Sequence, residues 1–163
     1  MVVVLGVRIL NLEGAPGFLG MGGVLIADIN LVFEVVLVLG LTVGAGLARA
    51  GKIEAHRRNQ TTWVLVNAAL VALIMVSSLQ DARIQSSDDL AKPYYWITWL
   101  HAFVGVLAVL AGLFLVVQMN GLIPPRRHLK GWKTLMRMTL AGYWVVVLLG
   151  FATYYFWYVS AQP

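Results

Sequence analysis

The segment VLIADINLVFEVVLVLGLTVGAGLA, residues 24–48, decides the fold. It is apolar throughout except for Asp28, Asn30, Glu34 and Thr42. A helix rises 1.5 Å per residue, so about 20 such residues cross the roughly 30 Å hydrocarbon layer of a bilayer. Three further stretches have the same character, at residues 61–79, 94–118 and 140–159. Together they predict an all-α, integral membrane four-helix bundle filling residues 22–163 as a single domain. Residues 1–21 are expected to form an extended or interfacial lead-in. Their first apolar run is interrupted by Arg8, and Gly14-Ala15-Pro16-Gly17 carries turn chemistry.

Composition agrees. The chain is 60% hydrophobic and only 12% charged, with mean hydropathy +0.82, which leaves too little polar surface to coat a soluble core of 163 residues. The net charge of +5 flanks the apolar runs and forms no continuous basic face, so it points to lipid rather than nucleic acid. The absence of cysteine excludes disulfides, thiolate metal sites and iron–sulfur ligation by this chain.

The basic residues orient the spans. Between the first and second lie Arg49, Lys52, Arg57 and Arg58 against Glu54 alone. Between the third and fourth lie Arg126, Arg127, Lys130, Lys133 and Arg137 with no acid. The middle connection sets Arg83 and Lys92 against Asp81, Asp88 and Asp89. Cytoplasmic connections carry the excess of Lys and Arg, so both termini and the middle connection are expected outside. Tyr94, Tyr95, Trp96 and Trp99 then start span three at the outer interface, and Tyr154, Tyr155, Trp157 and Tyr158 end span four there. Pro124-Pro125 after Gly121 stops span three.

Polar residues within spans are costly and need partners. Asn30 and Glu34 share a helix face, and Gly40 with Gly44 forms a small-xxx-small pair open to close approach. Gln60, Asn67 and Ser78 form one stripe on span two, which His56 continues at the cytoplasmic edge. His101, Gly105, Ala108 and Gly112 line span three; Tyr143, Gly150, Tyr154 and Trp157 line span four. One reading is a structural polar core of Asn30, Gln60, Asn67, Ser78 and Tyr154. The other is a functional pair, Glu34 with His101, in the outer half of the membrane, able to share a proton, bind a metal or contact a quinone headgroup. Asp28 is expected to be solvated or capping near the outer interface. His56, Arg57, Arg58 and His128 are expected at the cytoplasmic rim among lipid headgroups.

A membrane haem needs two axial ligands at one depth, and only His101 of the three histidines lies inside a span. His101 with Met75 is the one tolerable pair. No phosphate-binding, zinc-protease or serine-hydrolase motif occurs, so no catalytic residue is assigned and no enzyme activity is expected.

The motifs ADINL (27–31), LARAGKIEAHRRNQ (47–60), Asn67, MVSS (75–78), LHAFVG (100–105), MRMTL (136–140) and LGFATYYFWY (149–158) resemble the bacterial "domain of unknown function 420" membrane proteins. The resemblance covers the chain after residue 24. It implies a four-helix protein of the bacterial inner membrane without demonstrated enzyme activity, some members being linked to assembly of a-type haem–copper oxidases. His56, Arg57 and His101 match family positions. Many relatives carry another histidine where this chain reads Ser77-Ser78-Leu79-Gln80. The expected function is therefore a non-catalytic accessory or assembly subunit of a respiratory or photosynthetic electron-transfer complex, its partners being lipids and other integral membrane subunits. The alternative is a redox protein holding haem or quinone at His101, Glu34 and Met75.

Overall fold

The structure is a computed structural model that describes residues 15–75, 92–124 and 129–160. The described residues form four helices and no strand. Helix α1 is Leu25–Arg49. Helix α2 is Ile53–Leu70 and continues as a π-helical turn, Val71–Met75. Helix α3 is Pro93–Met119, and α4 is Trp132–Tyr154 with a π-helical turn, Tyr155–Val159. Each packs on two others in a closed ring: α1 on α2, α2 on α3, α3 on α4, and α4 on α1.

Among the described residues, three helices are long and apolar enough to cross a membrane: α1, α3, and α4 with its π turn. The boundaries of α1 and α3 match the apolar runs of the sequence. Two expectations shift. Helix α2 begins at Ile53 rather than near residue 61, and α4 begins at Trp132 rather than near residue 140. The basic residues of both connections therefore ride largely on helix, not loop. The physical reason is that hydropathy marks where lipid contact begins, whereas a helix needs only local support to start earlier. On α2 that support is Glu54, with Arg57 Nη2 at 2.8 Å and Arg58 Nε at 3.0 Å. The two guanidinium groups hold the exposed Glu54 carboxyl below its usual range. The predicted end of span two, residues 76–79, lies outside the described residues.

Two helix ends follow one device. Gly51 and Gly121 take φ of +75° and +74°, where L side chains are strained. Lys52 N–H then donates to the Leu47 carbonyl at 2.9 Å, and Leu122 N–H to Val117 at 3.1 Å. Both are the 6→1 bond of a Schellman cap. At the first, the turn between α1 and α2 is reduced to Ala50–Lys52, which makes them antiparallel neighbours.

That close pairing is sealed by side chains. His56 Nδ1 donates to the Gly44 carbonyl at 2.8 Å, Asn59 Nδ2 to Gly40 at 2.9 Å, and Gln60 Nε2 to Leu41 at 2.9 Å. A Cβ at Gly40 would fall on the Trp63 indole, and one at Gly44 on Asn59 and Gln60. The small pair thus admits polar side chains rather than a second backbone. His56, expected among headgroups, is buried. The reason is its position on the inward face, one and two positions from outward-facing Arg57 and Arg58.

The interior is a cluster of Leu37, Val38, Leu41, Val64, Ala108, Val116, Tyr143, Val146 and Val147. Large apolar side chains point outward in register: Val32, Val36, Leu39 and Val43 on α1, and Phe103, Val106, Leu107 and Leu110 on α3. In water this outer surface would be an association liability; in lipid it is the expected one.

Candidate functional site

Helices α1 and α3 lie diagonally across the ring, and a cavity of about 390 Å³ opens between them. Its wall is mostly aliphatic, with contributions from Leu31, Leu37, Val71, Val109 and Val147. The polar exceptions include Asn30, Glu34, Asn67, Thr98, His101 and Thr153, with the tyrosines Tyr143, Tyr154 and Tyr158.

Glu34 and His101 meet on this wall. Glu34 is 4% exposed, and its Oε1 lies 3.3 Å from His101 Nε2. The other ring nitrogen, Nδ1, lies 3.1 Å from the Val146 carbonyl oxygen. A carbonyl only accepts, so Nδ1 carries a proton and donates it. Nε2 and Oε1 then need one further proton between them, since otherwise two acceptors would face each other. The pair is therefore neutral as a unit, whether written as imidazolium–carboxylate or imidazole–carboxylic acid. A second extra proton would leave a net positive charge in an apolar wall, which is costly.

The second carboxyl oxygen, Glu34 Oε2, has no hydrogen-bond partner. It rests against Gly150 of α4, where a Cβ would collide with it. Among the described residues, three buried side-chain oxygens lack partners: Glu34 Oε2, Thr139 Oγ1 and Thr153 Oγ1. Two of these three belong to residues of the cavity wall. Native interiors rarely leave such groups unpaired.

Toward the other end, Asn67 Nδ2 approaches Tyr143 Oη at 3.5 Å. Tyr143 and Gly150 are seven residues apart on α4, roughly 10 Å of helix rise. The cavity thus runs from Tyr143 past the Glu34–His101 pair, and its wall continues beyond that pair to Asn30, Thr98, Thr153 and Tyr154.

Asp28 departs from the expectation of a solvated or capping residue. It is fully buried. Its Oδ1 accepts from Tyr154 Oη, and its Oδ2 accepts from Leu19 N–H at 2.7 Å. The segment Ala15–Val24 folds back as a small hairpin closed by Gly17 N–H to Gly23 O at 2.9 Å and Leu25 N–H to Ala15 O at 2.8 Å. Gly17 and Gly23 pack so closely on Asp28 and Tyr154 that neither has room for a Cβ. Asp28 therefore ties the lead-in to the C-terminal end of α4. Its signal in the sequence was its position three residues before Leu31 and six before Glu34, on the inward face.

The other predicted residues are dispersed. Asn30, Asn67 and Tyr154 line the cavity, whereas Gln60 belongs to the seam between α1 and α2. His56 is buried at that seam, and Arg57 and Arg58 engage Glu54. Ser78 and His128 lie outside the described residues, as does the side chain of Met75. Among the described residues no cluster of three His, Asp or Glu is placed to hold a metal. Buried Gln118, whose Oε1 accepts from Leu129 N–H at 3.0 Å, was not singled out from sequence.

At the aromatic end, Trp157 Nε1 donates to Thr98 Oγ1 at 2.8 Å, and Tyr94 packs edge-on to Trp157 with ring centroids 5.0 Å apart. The belt residues thus join α3 to α4 beside the cavity.

No family model matches the chain, and no curated protein and no solved structure matches it either.

Proposed function

We propose that this chain is a four-pass membrane protein that serves as a non-catalytic accessory subunit of a membrane electron-transfer complex. What it contributes in this reading is a pocket for a lipid-soluble ring compound of the quinone class. The observation that carries the pocket is the buried Glu34–His101 pair in the wall of a mostly aliphatic cavity. Ligand pockets of about this size combine an apolar lining with a few convergent polar groups. A haem at His101 fits less well, because both ring nitrogens are already engaged by Val146 and Glu34. The link to electron transfer, and to the bacterial inner membrane, rests on the resemblance to the family of unknown function described above. The outward apolar faces of α1 and α3 support contact with lipid or with the helices of a larger complex.

Solvent extraction of protein purified in mild detergent is expected to release quinone at near one per chain. A preparation free of quinone, from membranes that contain it, would remove the pocket from the proposal.

The proposed topology places the basic helix starts inside and the middle connection, residues 80–93, outside. The chain has no cysteine, so single substitutions report cleanly. Lys52→Cys and Lys133→Cys should react with an impermeant maleimide only in permeabilised cells, and Gln85→Cys in intact ones. Labelling of Lys52→Cys from outside would overturn this orientation.

A further inference from the structure

Helices α1 and α4 run antiparallel, and three contacts fix their register: Tyr154 O–H to Asp28, Gly150 against Glu34, and Trp144 Nε1 to Thr42 Oγ1 at 3.3 Å. A heptad step turns a helix to within about 20° of two full turns, so it stays on one face. One such step from the last contact, forward on α1 and back on α4, sets Arg49 opposite Arg137, roughly 10 Å beyond Thr42 and Trp144. Both arginines are exposed. Between the two levels lie Gly46 and Ala141, also exposed, and a Cβ at Gly46 would meet nothing within 4 Å. On the other side of the hydrogen bond the same two faces present Leu39 and Leu148, 51% and 64% exposed. From the basic end inward, the seam therefore offers two guanidinium groups, a shallow notch, an indole and an aliphatic strip.

Among the described residues, no acid pairs with either arginine. Glu54 is the one described acid at this end of the bundle, and Arg57 and Arg58 engage it on α2. Two like charges at one level of a seam repel unless an anion lies between them. We propose that the α1–α4 seam binds an anionic phospholipid. Its phosphate lies between Arg49 and Arg137, its glycerol backbone over Gly46 and Ala141, and its chains along Trp144, Leu39 and Leu148. A guanidinium matches phosphate with two parallel hydrogen bonds, and basic residues at a membrane surface favour anionic lipid. A zwitterionic lipid brings its own cation to the arginines. Free phosphate carries the charge but has nothing to lay on the aliphatic strip. The site rests on the membrane reading of the helices and not on the ring-ligand pocket, which lies inside the helix ring.

The test is native mass spectrometry of the full-length protein in mild detergent, titrated with phosphatidylglycerol or phosphatidylcholine. The first phosphatidylglycerol is expected to bind about thirtyfold more tightly than phosphatidylcholine, the increment of two interfacial arginines. Arg49→Gln/Arg137→Gln should remove most of that preference. Lys52→Gln/Arg58→Gln takes the same charge from the α2 side and should keep it. Gly46→Leu fills the notch without altering charge and should weaken phosphatidylglycerol binding several-fold. Inorganic phosphate should not displace the bound lipid. No preference in the parent protein, or equal losses in the two double variants, would overturn the site, the second by assigning the effect to diffuse charge. Undiminished binding in Gly46→Leu would overturn the placement of the lipid on this seam. Displacement by inorganic phosphate would reduce the site to one for a small anion and overturn the lipid. Each of these failures leaves the four-pass topology to the maleimide test and the pocket to the quinone extraction.

Discussion

Glu34→Ala and His101→Ala are each expected to lower the unfolding free energy by about 3 kcal/mol, because each strands a partner in an apolar wall. Replacing both by leucine should recover most of that loss, since the cost lies in the orphaned group rather than in the missing attraction. Gly150→Ala tests the same geometry without touching either ionisable group. Its Cβ would overlap Glu34 Oε2 and approach His101 Cε1 to 3.4 Å. Overpacking of this kind costs about 1–3 kcal/mol. Gly142→Ala, on the same helix, meets only the Ala108 Cβ at 3.9 Å and should be neutral or stabilising. Denaturant midpoints in detergent micelles read all five variants. Equal stability of Gly150→Ala and Gly142→Ala would show that Glu34 does not lie against α4.

Asp28→Ala should detach the segment before α1. It removes the acceptor of both the buried Tyr154 O–H and the part-buried Leu19 N–H, whose stranding costs about 3 kcal/mol together. Amide exchange over residues 17–25 should then quicken on the order of a hundredfold, by the same free energy expressed as an opening equilibrium. Asp28→Asn keeps one carbonyl acceptor and should fall between. Unchanged protection of Gly17 and Leu25 in Asp28→Ala would mean that the hairpin holds itself, without the carboxylate. Because Val24, Ala27 and Tyr154 line the cavity, loosening this contact should also weaken retention of any bound ring ligand.

Glu34 and His101 were legible as candidates because each is an ionisable residue in an apolar run, and low dielectric forces such groups to find partners. Their depth along the two helices followed from the residue rise alone. Three features were not legible. The Val146 carbonyl that accepts from Nδ1 is backbone, and backbone leaves no mark in composition. The place of Glu34 Oε2 against Gly150 depends on how α1 and α4 are rotated, which the small-residue stripe on α4 narrows but does not settle. Asp28 looked solvated because the apolar run begins near it. It is buried because the preceding hairpin folds over it, a contact between residues 19, 28 and 154 that no local pattern encodes.

The α1–α2 seam carries the same lesson. Gly40 and Gly44 announced a close approach, and His56, Asn59 and Gln60 announced one polar face. Only the fold joins the two, because a three-residue turn brings donors onto the carbonyls of the preceding helix.

By itself the sequence determined that the chain is helical, that its long apolar segments suit lipid, and which few polar residues must be accounted for, because hydropathy and charge are properties of residues in order. Which of those residues touch was decided only by tertiary structure. Helix rotation within the ring sets whether a carboxyl meets an imidazole, a glycine or a hydrocarbon tail, and a turn of a few tens of degrees changes that partner without altering any local preference.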